Sequence, residues 1–385
     1  MNDKDNETDE FQDIRPYTNE EFPVISKRMA NNKYLQEFLR GLKWPQCPKA
    51  FEPAAEKLIS YYVRRELGKI KTIEEFQREV VVGKLLKWIV EKTTVGVNSS
   101  GIENLDKDKS YMFISNHRDI VLDSALINYF LVRQGFDSTQ IAFGDNLLIN
   151  DFVSDLIRIN KSFIVKRDLP LREQIQASIK LSKYINYTLE KGESIWIAQK
   201  EGRSKDGSDL TNPAIIKMIF LSQRKSGVEF SDFINKCRII PVSISYELDP
   251  CDTLKGWEVH RKETREDFKK TKTMDLLSMW TGMKGAKGHV HIHYGEPLNG
   301  KFDNDKDVAL ALDRAIHRGY KLWSSNYISY DEVNQTGKYA DKYTEEERTE
   351  FLLRYRKLGK PVLDKVLNMY ARPVTNQEEA VFADE

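Results

Sequence analysis

Residues 111–135 read YMFISNHRDIVLDSALINYFLVRQG, and this stretch decides the fold class. Its opening, YMFIS, is a short apolar run without polar alternation, the mark of a strand buried on both faces. From about Ile120 the apolar residues recur at helical spacing, so a helix follows the strand within five residues. Asn116, His117, Arg118 and Asp119 therefore crowd the turn at a strand's carboxyl end, where α/β sheets carry their functional groups.

The same texture continues downstream. SFIVK (162–166), SIWIA (194–198), RIIPVSISY (238–246) and HVHIHYG (289–295) read as strands. DFVSDLIRI, REQIQASIKLSKYINYTLEKG and PAIIKMIFLSQRKSG read as helices between them, the second closed by Lys191-Gly192. Strands alternating with helices predict an α/β fold with a mixed, mostly parallel sheet flanked by helices. Residues 21–99 form a helical N-terminal region punctuated by Pro23, Pro45, Pro48 and Pro53, with three elements expected. Residues 100–300 form the central domain, and 301–385 return to helix. Residues 1–20 are acidic with almost nothing apolar to bury, and are expected to stay disordered.

Composition removes several function classes. In 385 residues, 60 Lys and Arg nearly cancel 59 Asp and Glu, so no chain-wide field recruits nucleic acid. Cys47, Cys237 and Cys251 are odd in number and lack metal-ligand spacing, which suits a reducing compartment and argues against a zinc site. The N-terminus has no signal-peptide pattern, and no apolar run approaches the roughly 20 residues of a membrane span. The expectation is a cytoplasmic chain that meets a membrane only from the side.

Three constellations carry chemistry. In SNHRDIVLD, a carboxylate that fixes the His117 tautomer frees the other ring nitrogen to take a proton from a hydroxyl; the alternative is a polar turn with Asp119 as helix cap. If Asp119 caps, its side chain is committed to backbone amides and Asp123 is left for His117. In NKSFIVKRD, Lys166 and Arg167 end an apolar strand, either as an anion site or as solvated charges. In SIWIAQKEGRSKDGSD, a buried strand opens into a loop in which Gly202 permits close backbone approach, while Arg203 and Ser204 offer donors to phosphate oxygens. The loop lacks the spacing of a nucleotide P-loop.

In this order, the three motifs resemble the glycerolipid acyltransferases, most closely the glycerol-3-phosphate type. That family carries a His with a downstream Asp, an aromatic-apolar strand ending in Arg, a Glu-Gly-x-Arg-Ser-like loop, and an apolar strand with Pro. Their counterparts are Asn116 to Asp123, Phe163 to Arg167, Glu201 to Ser204, and Ile239-Ile240-Pro241-Val242, with HVHIHYGEPL matching a later strand and Gly-Glu-Pro. The resemblance spans about residues 110–298. It departs at one point: the family's Asp stands five residues after the His, where Leu122 sits, and an extra turn residue lets Asp123 keep the role.

The resemblance implies direct acyl transfer from acyl-CoA or acyl carrier protein to a hydroxyl of glycerol 3-phosphate or lysophosphatidic acid, with no metal or other cofactor. His117 is then the base and Asp123 its partner; Lys166, Arg167, Glu201, Gly202, Arg203 and Ser204 bind substrate, with Lys166, Arg167 and Arg203 on the acceptor phosphate. Two competitors are a hydroxy-acyl amino acid lipid as acceptor, its carboxylate held by Arg203 and Lys166, and a non-catalytic lipid-surface binding protein.

Three lesser features complete the reading. His289, His291 and His293 share one strand face, as metal ligands or as a polar face. GMKGAKG (282–288) reads as a mobile surface loop. MDLLSMW, through Met279 and Trp280, and VVVGKLLKWIV, through Trp88, either pack in the core or dip into a bilayer interface.

Overall fold

The computed structural model describes residues 10–44, 46–148 and 150–382. Seven strands form one sheet: β1 (Gly96–Ser100), β2 (Met112–Ser115), β3 (Gln140–Gly144), β4 (Ser162–Val165), β5 (Ile195–Ala198), β6 (Ile239–Tyr246) and β7 (His289–Tyr294). Their order is β1-β7-β6-β2-β5-β3-β4, and only the β6–β7 pairing is antiparallel. The mixed, mostly parallel sheet predicted from the alternation of strands and helices is therefore the observed one. β2 lies between β5 and β6, and all four of its residues are buried, as an apolar central parallel strand requires.

Helices cover both faces. On one, α5 (Leu122–Arg133) packs Leu122, Leu126, Ile127 and Leu131 against Phe113, Ile240 and Ile292. On the other, α7 (Leu171–Glu190), α8 (Pro213–Phe220) and α12 (Asp305–Gly319) bring Leu181, Ile185, Ile216 and Leu312 onto Met112, Ile114 and Ile195.

Before the sheet come α1 (Phe22–Ala30), α2 (Lys33–Lys43), α3 (Glu52–Leu67) and α4, which runs from Ile73–Phe76 through a π-helical stretch, Gln77–Leu86, into Lys87–Thr93. Among the described residues that is four longer helices where three elements were expected. The disorder expected of the opening does not hold from Glu10 onward. Phe11 and Ile14 supply the apolar anchors, buried in the core, and the Ile14 carbonyl accepts from Ile164 N–H at 2.8 Å, covering the free edge of β4. Residues 1–9 lie outside the described residues.

The remaining helices are α6 (Asp151–Ile159), α9 (Phe230–Lys236), α10 (Asp252–Thr264), α11 (Lys272–Lys284), α13 (Ser324–Asn334), α14 (Glu345–Leu353) and α15 (Lys360–Phe382). GMKGAKG is not a mobile surface loop. Gly282 to Lys284 belong to α11, and Lys287 is wholly buried, its ammonium donating to Thr93 Oγ1 and Gly285 O at 2.8 Å each.

Candidate active site

The turn after β2 is built by its own side chains. Asn116 extends the sheet past the end of the strand: its Nδ2 donates to Ile244 O at 3.0 Å, and its Oδ1 accepts from Ile244 N–H at 2.7 Å. Arg118 donates to Asp209 and lies over the Tyr320 ring. Asp119 is not the N-cap residue itself, which is Val121, but stands two residues before it, and its Oδ1 accepts from Val121 N–H and Leu122 N–H at 2.9 Å each, tying the turn to the start of α5.

His117 is thereby paired with Asp123, Nδ1 to Oδ2 at 2.8 Å. Asp123 is fully buried, and the same Oδ2 accepts from Arg118 N–H and from Asp119 N–H, while Oδ1 accepts from Tyr246 Oη at 2.8 Å. An oxygen already receiving two backbone donors is an acceptor, so the proton between the pair sits on His117 Nδ1. The Nε2 lone pair is then available, and the imidazole keeps 13% of its side-chain surface exposed. Trp196 walls the ring edge-on with centroids 5.8 Å apart.

The loop after β5 joins this turn directly, since Ser204 N–H donates to His117 O at 2.7 Å. Gly202 takes φ +74°, a left-handed conformation that favours glycine, although a Cβ there would meet nothing within 4 Å. Glycine suits that backbone conformation, and no protein atom crowds the position. From behind, α15 braces the loop through Asn376 Nδ2, which donates to Gly207 O at 2.9 Å and Ser208 O at 3.0 Å.

Several buried polar atoms in these loops have no hydrogen-bond partner among the described residues: Asp119 Oδ2, Arg203 Nη1, Ser204 Oγ and both amide atoms of Gln199. Buried polar groups are normally paired, so this cluster retains unused capacity for a polar ligand. Burial and the neighbouring Asp123 charge push the Asp119 carboxyl above the usual carboxylate range, partly offset by the capped amides and by Arg203. The expected substrate residues divide accordingly. Arg203 and Ser204 lie buried at the His117 turn, whereas the Glu201 side chain is 70% exposed and pairs with Arg167 Nη1 at 2.9 Å. Lys166 is drawn off to Asp13, which also takes Lys180. Asp13 falls in the opening expected to be disordered, so its competition for Lys166 was not foreseen.

Tyr246 and Gln199 were missed. The polar end of RIIPVSISY and the Gln preceding the Glu-Gly loop are the only signals for them in the sequence. The three histidines of β7 have polar partners: Ser100 Oγ lies 3.0 Å from His291 Nε2 and 2.9 Å from His293 Nδ1, and His289 Nδ1 lies 2.7 Å from Glu247 Oε2.

Residues 96–245 match the family model described as acyltransferase. The chain is similar to the glycerol-3-phosphate acyltransferase of Pseudomonas syringae pv. tomato, 26% identical over 258 residues, covering 64% of this chain and 28% of that one. It is also similar to that of Ectopseudomonas mendocina, 25% identical over 225 residues, covering 56% of this chain and 25% of that one. The chain thus spans about a quarter of the length of these curated relatives. Among solved structures, the 1-acyl-sn-glycerophosphate (LPA) acyltransferase PlsC from Thermotoga maritima aligns with a TM-score of 0.37 at 17% identity, over 68% of this chain and 80% of that one. A histidine–aspartate turn and a Glu-Gly-Arg-Ser loop, joined by one backbone hydrogen bond, both lie inside the span that matches, so residues 96–245 are similar to the acyltransferase family.

Proposed function

We propose that the protein transfers a fatty acyl group from acyl-CoA or acyl carrier protein to a hydroxyl of glycerol 3-phosphate or lysophosphatidic acid. The observation that carries this reading is the His117–Asp123 pair, with Nδ1 committed to the carboxylate at 2.8 Å and Nε2 left as a base. Nε2 takes the proton of the acceptor hydroxyl as its oxygen attacks the thioester carbonyl. The new C–O bond forms, the C–S bond breaks, and the imidazolium returns the proton to the leaving thiolate. Asp123 stabilises the imidazolium while it exists. Arg203 and Ser204 hold the acceptor phosphate with their unpartnered Nη1 and Oγ, fixing which hydroxyl faces His117. Arg167 and Lys166 contribute only after leaving Glu201 and Asp13, so they rank behind Arg203.

The products are lipids, so the reaction belongs at a membrane surface, with the chain peripheral on the cytoplasmic face. Among the described residues, no helix is long and apolar enough to cross a membrane. The test is to incubate the protein with labelled acyl-CoA or acyl carrier protein and glycerol 3-phosphate, lysophosphatidic acid or a hydroxy-acyl amino acid, and to identify the lipid formed. Acylation of the phosphate-free acceptor alone overturns the reading.

A further inference from the structure

α11 buries small residues and exposes large apolar ones. Its inner side carries Ser278 and Gly282, both buried, and a Cβ on Gly282 would come within 2.0 Å of Asp119 Oδ2, so this face closes directly over the His117 turn. Its outer side carries Leu276, Leu277 and Trp280, spaced as one helical stripe, with Leu277 51% and Trp280 41% exposed. An ordinary surface helix presents its large apolar residues to the core and its polar ones to water. The Lys87–Thr93 stretch of α4, which packs beside α11, adds exposed Trp88, with Leu85 just before it.

The surroundings say what covers this face. The segment leading into α11, residues 260–272, holds six Lys and Arg against three Asp and Glu, and Arg265 and Lys269 in it are exposed. At the other end, Lys284 lies over the Trp280 ring at 3.9 Å. Exposed tryptophan and leucine bordered by cations match a bilayer interface, with apolar side chains among the acyl chains and ammonium groups at anionic headgroups.

We propose that the outer face of α11, continued by Leu85 and Trp88, docks on an anionic lipid surface and sets the catalytic turn directly behind that contact. This rests on the acyl-transfer reading for its biological sense, but its test reads binding on its own. The wild type and the variant Leu276→Ser/Leu277→Ser/Trp280→Ser are sedimented with vesicles of phosphatidylglycerol and phosphatidylcholine, and with phosphatidylcholine alone. The variant is expected to lose at least tenfold in partitioning onto the mixed vesicles. Arg265→Gln/Lys269→Gln is expected to lose most of the preference for phosphatidylglycerol while keeping the weaker binding to phosphatidylcholine. Turnover of glycerol 3-phosphate with a short-chain, water-soluble acyl-CoA, measured without vesicles, stays within twofold in both variants. The triple variant partitioning like wild type overturns the proposal. So does a wild type that forms a dimer, lost in the triple variant, while vesicle binding is unchanged, since the face then belongs to a second copy. If the wild type turns over no acceptor but still docks through this face, the acyl-transfer reading fails and the docking surface stands.

Discussion

Asp123→Asn isolates the charge of the pair from its geometry. The asparagine oxygen can still accept from His117 Nδ1 and the two backbone N–H groups, and its NH2 meets Tyr246 Oη, which can turn to accept. The fold therefore survives, at a cost of about 1–3 kcal/mol as charge-assisted bonds become neutral ones. Catalysis loses more. When Nε2 takes the acceptor proton, imidazolium and carboxylate centres stand about 4 Å apart, worth about 4 kcal/mol at an effective dielectric near 20. Since 1.36 kcal/mol is a factor of ten in rate, kcat should fall by about 10³. The loss belongs in kcat, because the charge forms during reaction and not on substrate binding. The assay is acyl transfer at saturating donor and acceptor, with thermal unfolding followed on the same samples. Tyr246→Phe is the control: it removes one bond to Oδ1, leaves the His117 pair intact, and should cost only a few-fold. A well-folded Asp123→Asn protein with kcat within threefold of wild type refutes the reasoning.

Other outcomes follow from the same geometry. His117→Ala should lower turnover by about 100-fold or more with unchanged melting temperature, measured by product formation. On the proposed role of Arg203 at the acceptor phosphate, Arg203→Ala should raise the acceptor KM much more than the donor KM; equal shifts in both would count against it. Asp119→Asn should keep most activity, because the Asn side-chain oxygen still accepts from the amides of Val121 and Leu122. The Asp119 carboxyl titrates above its unfolded value, so its stability contribution is full at low pH and is lost as pH rises through the folded pKa. Relative to wild type, Asp119→Asn should therefore gain stability on going from acid to neutral pH, as read by denaturant melts. Burial lowers the Lys287 ammonium to about 8, so the folded chain releases its proton before the unfolded one. Wild type should gain stability over Lys287→Met as pH rises from about 8 toward the unfolded lysine value near 10.4, checked by the same melts.

What the sequence made legible follows from where the apolar residues lie. β2, β4, β5 and β6 are short runs buried on both faces, and β7 alternates Val290, Ile292 and Tyr294 inward, so all five read as strands. β1, GVNSS, was not visible because it is an edge strand with one large apolar residue, held by its register with β7 from Gly96↔His289 onward. β3, QIAFG, is no shorter than its neighbours, but its three central residues are only half-buried and it begins and ends on a polar or small residue, so no longer apolar run marks it. α11 gave no helical signal because its apolar side faces outward and its inner side is small and polar. At the site, residue types were legible but pairings were not. Nothing local tells that Lys166 meets Asp13, 153 positions away, or that Tyr246 reaches Asp123 across 123 positions.

The displaced aspartate has a physical explanation. α5 starts at Leu122, and that side chain is fully buried in the cluster with Leu126 and Phe113, so a carboxylate at 122 would point into the apolar layer beneath the sheet. One position later, in the helix's first turn, Asp123 faces the turn and reaches His117. The added residue is absorbed between Arg118 and Val121, where Asp119 closes the longer turn by accepting from Val121 N–H and Leu122 N–H. The two aspartates are therefore one adaptation. Asp119 makes the longer turn stable, and only because it is stable can Asp123 gather the Arg118 and Asp119 amides and the imidazole on a single oxygen. Deleting Ile120 sets the Asp123 carboxylate five residues after His117 in a turn that no longer needs the Asp119 side chain, so the deletion variant should keep most of its acyl-transfer activity; a well-folded deletion variant that loses activity 100-fold or more would refute the account of the added residue.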